Sequence, residues 1–170
     1  MRLELAIDLI VPDNTAYTVL VALRELGYEA LERVERSQII TLEMASGIDE
    51  DDVIEKVSHA EVLFNPNKHR LSYARPNAAS SAGDGAGQPE AVVADKEDDT
   101  RGLVALLAGP FHLRGLQSLS RSVAWRLFDV SGPASRERLE WACRQLLANP
   151  VSQRFEVRPM PVRSIATAAR

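Results

Sequence analysis

Leu3, Leu5, Ile7, Leu9 and Val11 alternate with Arg2, Glu4, Ala6 and Asp8, the period of a strand with one buried face. Pro12-Asp13-Asn14 breaks that pattern and supplies helix-capping side chains. Ala16, Val19, Leu20, Leu23 and Leu26 then fall on one stripe of an amphipathic helix, with Gly27 placed to end it. The next apolar stretches run over 30–34 and 39–44. Arg36-Ser37-Gln38 between them reads as a hairpin turn. Asp49 opens a second helix with Val53, Ile54, Val57 and Ala60 inward. Asn65-Pro66 stops it, because the residue before proline is pushed out of the helical region. Residues 67–74 supply a closing strand.

The same order returns. Val21-Ala22-Leu23 recurs as Val104-Ala105-Leu106, Arg36-Ser37 as Arg121-Ser122, and Asn65-Pro66 as Asn149-Pro150, at offsets of about 83 to 85 residues. Residues 91–93 restart a strand and Asp99-Thr100 caps a helix through Leu103, Leu106 and Leu107. Residues 116–119 and 123–128 make a second hairpin. Leu139, Ala142, Cys143, Leu146 and Leu147 lie on a fourth helix, and Phe155 and Val157 on the closing strand. The expected fold class is therefore α+β, two tandem ferredoxin-like repeats of order βαββαβ, covering 1–75 and 90–160. Residues 76–89 contain nothing apolar larger than alanine and read as a flexible linker, and 161–170 as a loose tail.

Alternation places Ile40, Leu42 and Met44, and in the second copy Val123, Trp125 and Leu127, beneath the helices. Ile39, Thr41 and Glu43, with Ala124, Arg126 and Phe128, fall on the bare side. Ile39, Ala124 and Phe128 need cover, and the nearest cover is the other repeat, so the two sheets are expected face to face as a pseudo-dimer. A small enzyme of this fold would need a polar cluster between the sheets, where alternation puts apolar residues.

Composition is that of an ordinary globular chain, 45% hydrophobic and 26% charged in 170 residues. No apolar run is long enough to span a bilayer, and Glu4 interrupts what a signal peptide would keep apolar, so a cytoplasmic protein is expected. The net charge of −4, without a basic stripe, argues against nucleic acid. Cys143 is the single cysteine, which excludes an internal disulfide. His59, His69 and His112 are not at ligand spacings, so no metal is assigned. The acidic runs Asp49–Asp52 and Glu97–Asp99 suit helix starts. No glycine-rich phosphate loop and no partnered serine nucleophile appear, so no cofactor and no catalytic residue are assigned.

The segment Cys143-Arg144-Gln145-Leu146-Leu147-Ala148-Asn149-Pro150-Val151, followed by Phe155-Glu156-Val157, resembles the C-terminal signature of PurS, the small subunit of phosphoribosylformylglycinamidine synthase. Leu23-Arg24-Glu25-Leu26-Gly27-Tyr28, then Val34, Arg36 and Ile40-Thr41-Leu42-Glu43, is similar to the first helix and central strands of that family. The resemblance covers nearly all of the chain as two tandem copies. It implies a non-catalytic subunit in de novo purine biosynthesis, bridging the ATP-dependent PurL synthase subunit and the PurQ glutaminase. Interface residues are then expected at Arg36-Ser37, Asn65-Pro66, Arg121-Ser122 and Asn149-Pro150, with Ile39, Ala124 and Phe128 between the sheets. Self-association is left open. The rival expectation is a regulatory protein resembling ACT domains, which would bind a small molecule.

Overall fold

In a computed structural model the chain is a mixed α+β protein with one antiparallel sheet of eight strands and four helices, described over residues 1–74 and 87–166. Most of the expected linker and the last four residues lie outside the described residues. In chain order the elements are β1 (Arg2–Leu9), α1 (Asn14–Glu25), β2 (Leu31–Met44), α2 (Glu50–Ser58), β3 (His69–Ala74), β4 (Pro89–Asp95) and α3 (Arg101–Ala108). There follow β5 (Leu116–Asp129), β6 (Gly132–Pro133), α4 (Arg136–Ala142) running into a π-helical turn at Cys143–Leu147, β7 (Gln153–Pro159) and β8 (Ser164–Ile165). Spatial order is β7-β4-β5-β2-β1-β3-β8, with β6 folded back on the end of β5. No helix among the described residues is long and apolar enough to cross a membrane.

Two expectations are corrected. The hairpins are absent: β2 and β5 are single strands of 14 residues each, so each half carries three long strands instead of four. Ser37 sits in mid-strand, opposite Asp8 of β1 and Ala124 of β5. Arg36-Ser37-Gln38 holds no glycine or asparagine for the positive φ that a tight hairpin needs, so the polar triplet stays extended. The second correction follows from the first. β2 and β5 pair with each other along their length, from Leu31 opposite Asp129 to Met44 opposite Leu116, so the two halves join edge to edge in one sheet and not face to face.

The expected alternation holds. Ile40, Leu42 and Met44 lie under α2 and α3 with Leu3, Leu5, Ile7, Val53, Val57, Leu107 and Leu119. Trp125 and Leu127 lie under α1 and α4 with Leu23, Tyr28, Leu31, Val34, Leu139, Cys143 and Val157. Each core draws a helix from both halves, so neither half owns one. Tyr28 ties them further, stacking edge-on against Trp141 at 6.1 Å and donating its hydroxyl to Asp129 at 2.9 Å. Burial first, then that bond, pushes the Tyr28 pKa up to about 12.

Local sequence sets the helix ends. Asp13 accepts from the Thr15 and Ala16 amides to start α1. At its far end Gly27, at φ +109°, lets Tyr28 N–H return to the Leu23 carbonyl and Gly27 N–H to that of Arg24, a Schellman closure. Cys143 is fully buried, and burial together with Glu140 drives its pKa up to about 12. Ellman's reagent is therefore expected to leave the native thiol unmodified and to titrate it once the chain is unfolded in guanidinium. Rapid labelling under native conditions contradicts this packing.

The sheet is curled, and chain length requires it. Five residue steps from Pro159 to Ser164 reach at most about 18 Å, whereas β7 and β8 in a flat sheet of this order stand six spacings, roughly 29 Å, apart. Arg158 of β7 also meets Glu4 of β1 at 2.7 Å although three strands lie between them in the sheet. The curl closes on the face without helices. Residues 160–163 bridge the two edges, from Met160 N–H on the Gln88 carbonyl to β8 beside β3, in a segment expected to be loose.

Candidate functional site

The inner face of the curl is where the chain departs most from ordinary core chemistry. Register along the strands brings Ala6, Ile39, Val92 and Ala124 together as a small apolar floor. Around it stand charges that would face solvent on a flat sheet. Arg126 is buried to 8% exposure and meets Glu35 at 3.2 Å, Asp8 at 3.5 Å and Glu90 at 3.9 Å. Glu90 has no exposed surface and also takes Arg158 at 2.9 Å and Arg163 at 3.1 Å. Glu4 binds the same two arginines, at 2.7 and 3.2 Å. Ser37 is fully buried and donates its hydroxyl to Asp8. Burial alone lowers the Arg158 pKa, but Glu4 and Glu90 beside it win, and the net direction is up.

The expectation of an apolar face between two sheets is thus corrected: apolar residues form the floor, and an acid–arginine network surrounds it. Ile39 and Ala124 are covered, but by the curl of their own sheet. Phe128 is half-buried beneath the Arg33 guanidinium, 3.8 Å from its ring centre.

Arg36 and Arg121 point to the helix side, in the seam between the two helix pairs. Each carries a carboxylate from the start of the preceding helix region: Arg36 Nε meets Asp13 at 2.9 Å and Arg121 Nε meets Asp98 at 3.1 Å. The Asn-Pro pairs are turn-builders. Asn65 Oδ1 accepts the Asn67 amide and Asn149 Oδ1 that of Val151, while the amide of each asparagine donates to a side chain four residues on, His69 Nδ1 and Gln153 Oε1. The structure therefore does not gather the expected interface residues. It sets Ser37, Ile39 and Ala124 inside, Arg36 and Arg121 in the seam, and Asn65-Pro66 and Asn149-Pro150 in the turns before β3 and β7. Glu4, Glu90, Arg158 and Arg163 were missed by sequence reasoning. For Glu4, Glu90 and Arg158 the signal was charge at alternate positions of strands, which is also what a solvated face gives; Arg163, between β7 and β8, carried none.

Arg121 binds Asp98 by side-chain hydrogen bonds, and this holds the Asp98 carboxyl below its ordinary range. The unfolded chain takes up that proton at a higher pH, about 3.9, so the bond's contribution is complete above that value and is lost as pH falls through the lower folded-state pKa. Asp98→Asn is expected to lower stability at neutral pH and to flatten the acid limb of a urea-denaturation series. An unchanged limb contradicts the assignment.

β1 and β2 pair over seven positions, from Arg2 opposite Glu43 to Asp8 opposite Ser37, whereas β4 and β5 pair only at Ala91–Val93. Beyond Val93 these two strands splay. Asp98 takes the Arg121 amide at 3.3 Å and Thr100 donates to the Leu119 carbonyl at 2.7 Å, replacing lost strand partners. A cavity of about 500 Å³ opens on the inner side, lined by Glu4, Thr41, Ser120, Ser122, Arg154 and Arg158. A second, of about 560 Å³, opens on the helix side beside Arg36, Gln38, Trp125 and Leu147. Asp95, Arg121 and Ser122 line both. Among the described residues no group of three or more His, Cys, Asp and Glu is placed to hold a metal ion.

Neither a protein-family model nor a curated protein sequence matches the chain.

Proposed function

We propose that this chain is a PurS-like accessory subunit, acting without chemistry of its own between a PurL-like synthase subunit and a PurQ-like glutaminase. The observation that carries the reading is the join of β2 to β5. It sets two strand–helix–strand–helix–strand units edge to edge, with all four helices on one side, as two copies of a small subunit would be fused. On that account the tandem pair is a built-in dimer, and matched details support it: the Asp13–Arg36 and Asp98–Arg121 pairs, and the two asparagine turns at Asn65 and Asn149. The helix side also keeps apolar surface for a partner, with Tyr17, Val21, Leu106 and Leu146 exposed.

The test is reconstitution. The purified chain is mixed with the synthase and glutaminase subunits from the same organism, and co-elution with glutamine-dependent formation of formylglycinamidine ribonucleotide is expected. Failure of both, with folded protein, overturns the reading.

A further inference from the structure

We propose that the inner cavity at the splayed end of β4 and β5 binds a small hydroxylated oxyanion, such as a hydroxycarboxylate or a polyol phosphate. The inference does not depend on docking to a synthase; it rests on comparing the two ends of the curled sheet.

Strand register makes those ends counterparts. Leu5 opposite Ile40 corresponds to Ala91 opposite Trp125, so Glu4 corresponds to Glu90, Asp8 to Ala94, Thr41 to Arg126, Glu35 to Ser120 and Ser37 to Ser122. At one end the Arg126 side chain fills the interior and is held by Asp8, Glu35 and Glu90. At the other the arginine is Thr41, and two of its three acids are Ala94 and Ser120. The bulk and the acids have gone together. What is left is a cavity of about 500 Å³ whose remaining acid of that set, Glu4, is already bound to Arg158 and Arg163.

The groups facing that space fit an anion that also carries hydroxyls. Thr41 stands opposite Ser120 and Ile39 opposite Ser122, which puts three hydroxyls side by side on β2 and β5, none with a side-chain partner among the described residues. Across the cavity Arg154 and Glu156 occupy inward positions of β7, opposite Ala94 and Val92, and neither is ion-paired among the described residues. Arg154 offers a two-pronged donor set for a carboxylate or phosphate. Glu156 accepts from ligand hydroxyls, Thr41, Ser120 and Ser122 complete the polar wall, and Ile39 and Val92 provide the apolar base.

The experiment is calorimetric titration and thermal shift of the full chain at millimolar ligand, using glycerate, glycerol 3-phosphate, glycerol and choline. At least one of the two oxyanions is expected to bind and raise Tm, with glycerol and choline inert; which oxyanion binds separates carboxylate from phosphate. Arg154→Ala is expected to weaken binding about tenfold, and Ser120→Leu to abolish it by replacing a hydroxyl of the polar wall with a bulkier apolar side chain. Both positions are solvent-exposed, so both variants should fold. Arg70→Ala, at the counterpart of Arg154 on β3, should leave binding unchanged. Absence of binding by both oxyanions, equal binding of glycerol or choline, or full affinity in Arg154→Ala overturns the proposal.

Discussion

Replacing Glu90 by alanine is expected to cost about 3–5 kcal/mol, the price of removing one partner from a buried ionic cluster. Glu90 has no exposed surface and is shared by Arg126, Arg158 and Arg163, from β5, β7 and the bridging segment. Without it three guanidinium groups are left with Glu4, Asp8 and Glu35, and the segment that closes the curl loses one of its two carboxylate anchors. For a chain of this length the loss corresponds to a drop in Tm of roughly 10 °C. Glu90→Gln, which keeps acceptor capacity but not charge, should fall between wild type and alanine. Urea denaturation measures all three. A loss below about 1 kcal/mol, the scale of an exposed ion pair, means that the cluster is solvated and the sheet more open than described.

Gln38→Pro is expected to abolish the cooperative folding transition, whereas Gln38→Ala should change stability by no more than about 0.5 kcal/mol. The side chain of Gln38 is exposed, so alanine removes little packing. Its backbone lies in the middle of β2, between β1 and β5, opposite Ile7 and Val123. Proline there removes an amide donor from a strand paired on both sides, a position where it is essentially never tolerated. If residues 36–38 were a hairpin turn, proline would be accepted and the melt would stay cooperative. Circular dichroism melts and gel filtration of the two variants separate these outcomes.

The helices and the facing of the strands were legible because each depends on periodicity within one segment. Ile40, Leu42 and Met44 lie under helices as their spacing requires, and α1 starts at the Asp13 carboxylate and closes at Gly27, whose backbone takes a positive φ, as those residue types suggest. Strand length was not legible. Arg36 and Gln38 are polar because they lie in the seam between two helix pairs, and Ser37 because it faces an acid on the inner side; along the sequence the three make one polar run indistinguishable from a turn. The curl was hidden for a related reason. It depends on Arg158 and Arg163 meeting Glu4, about 155 residues away, and no local pattern records such a partnership. The same charges, read one strand at a time, describe a wet surface.

The sharing of both cores between the halves has a consequence for biosynthesis. Val157 is packed in the same cluster as Ala16, and Arg163 is bound to Glu4. While the ribosome is still making β7, the earlier strands lack part of their packing and β2 must wait for β5. The nascent chain thus carries unfinished strand edges until β7 and residues 160–165 have emerged, and chaperone demand should be greatest just before that point.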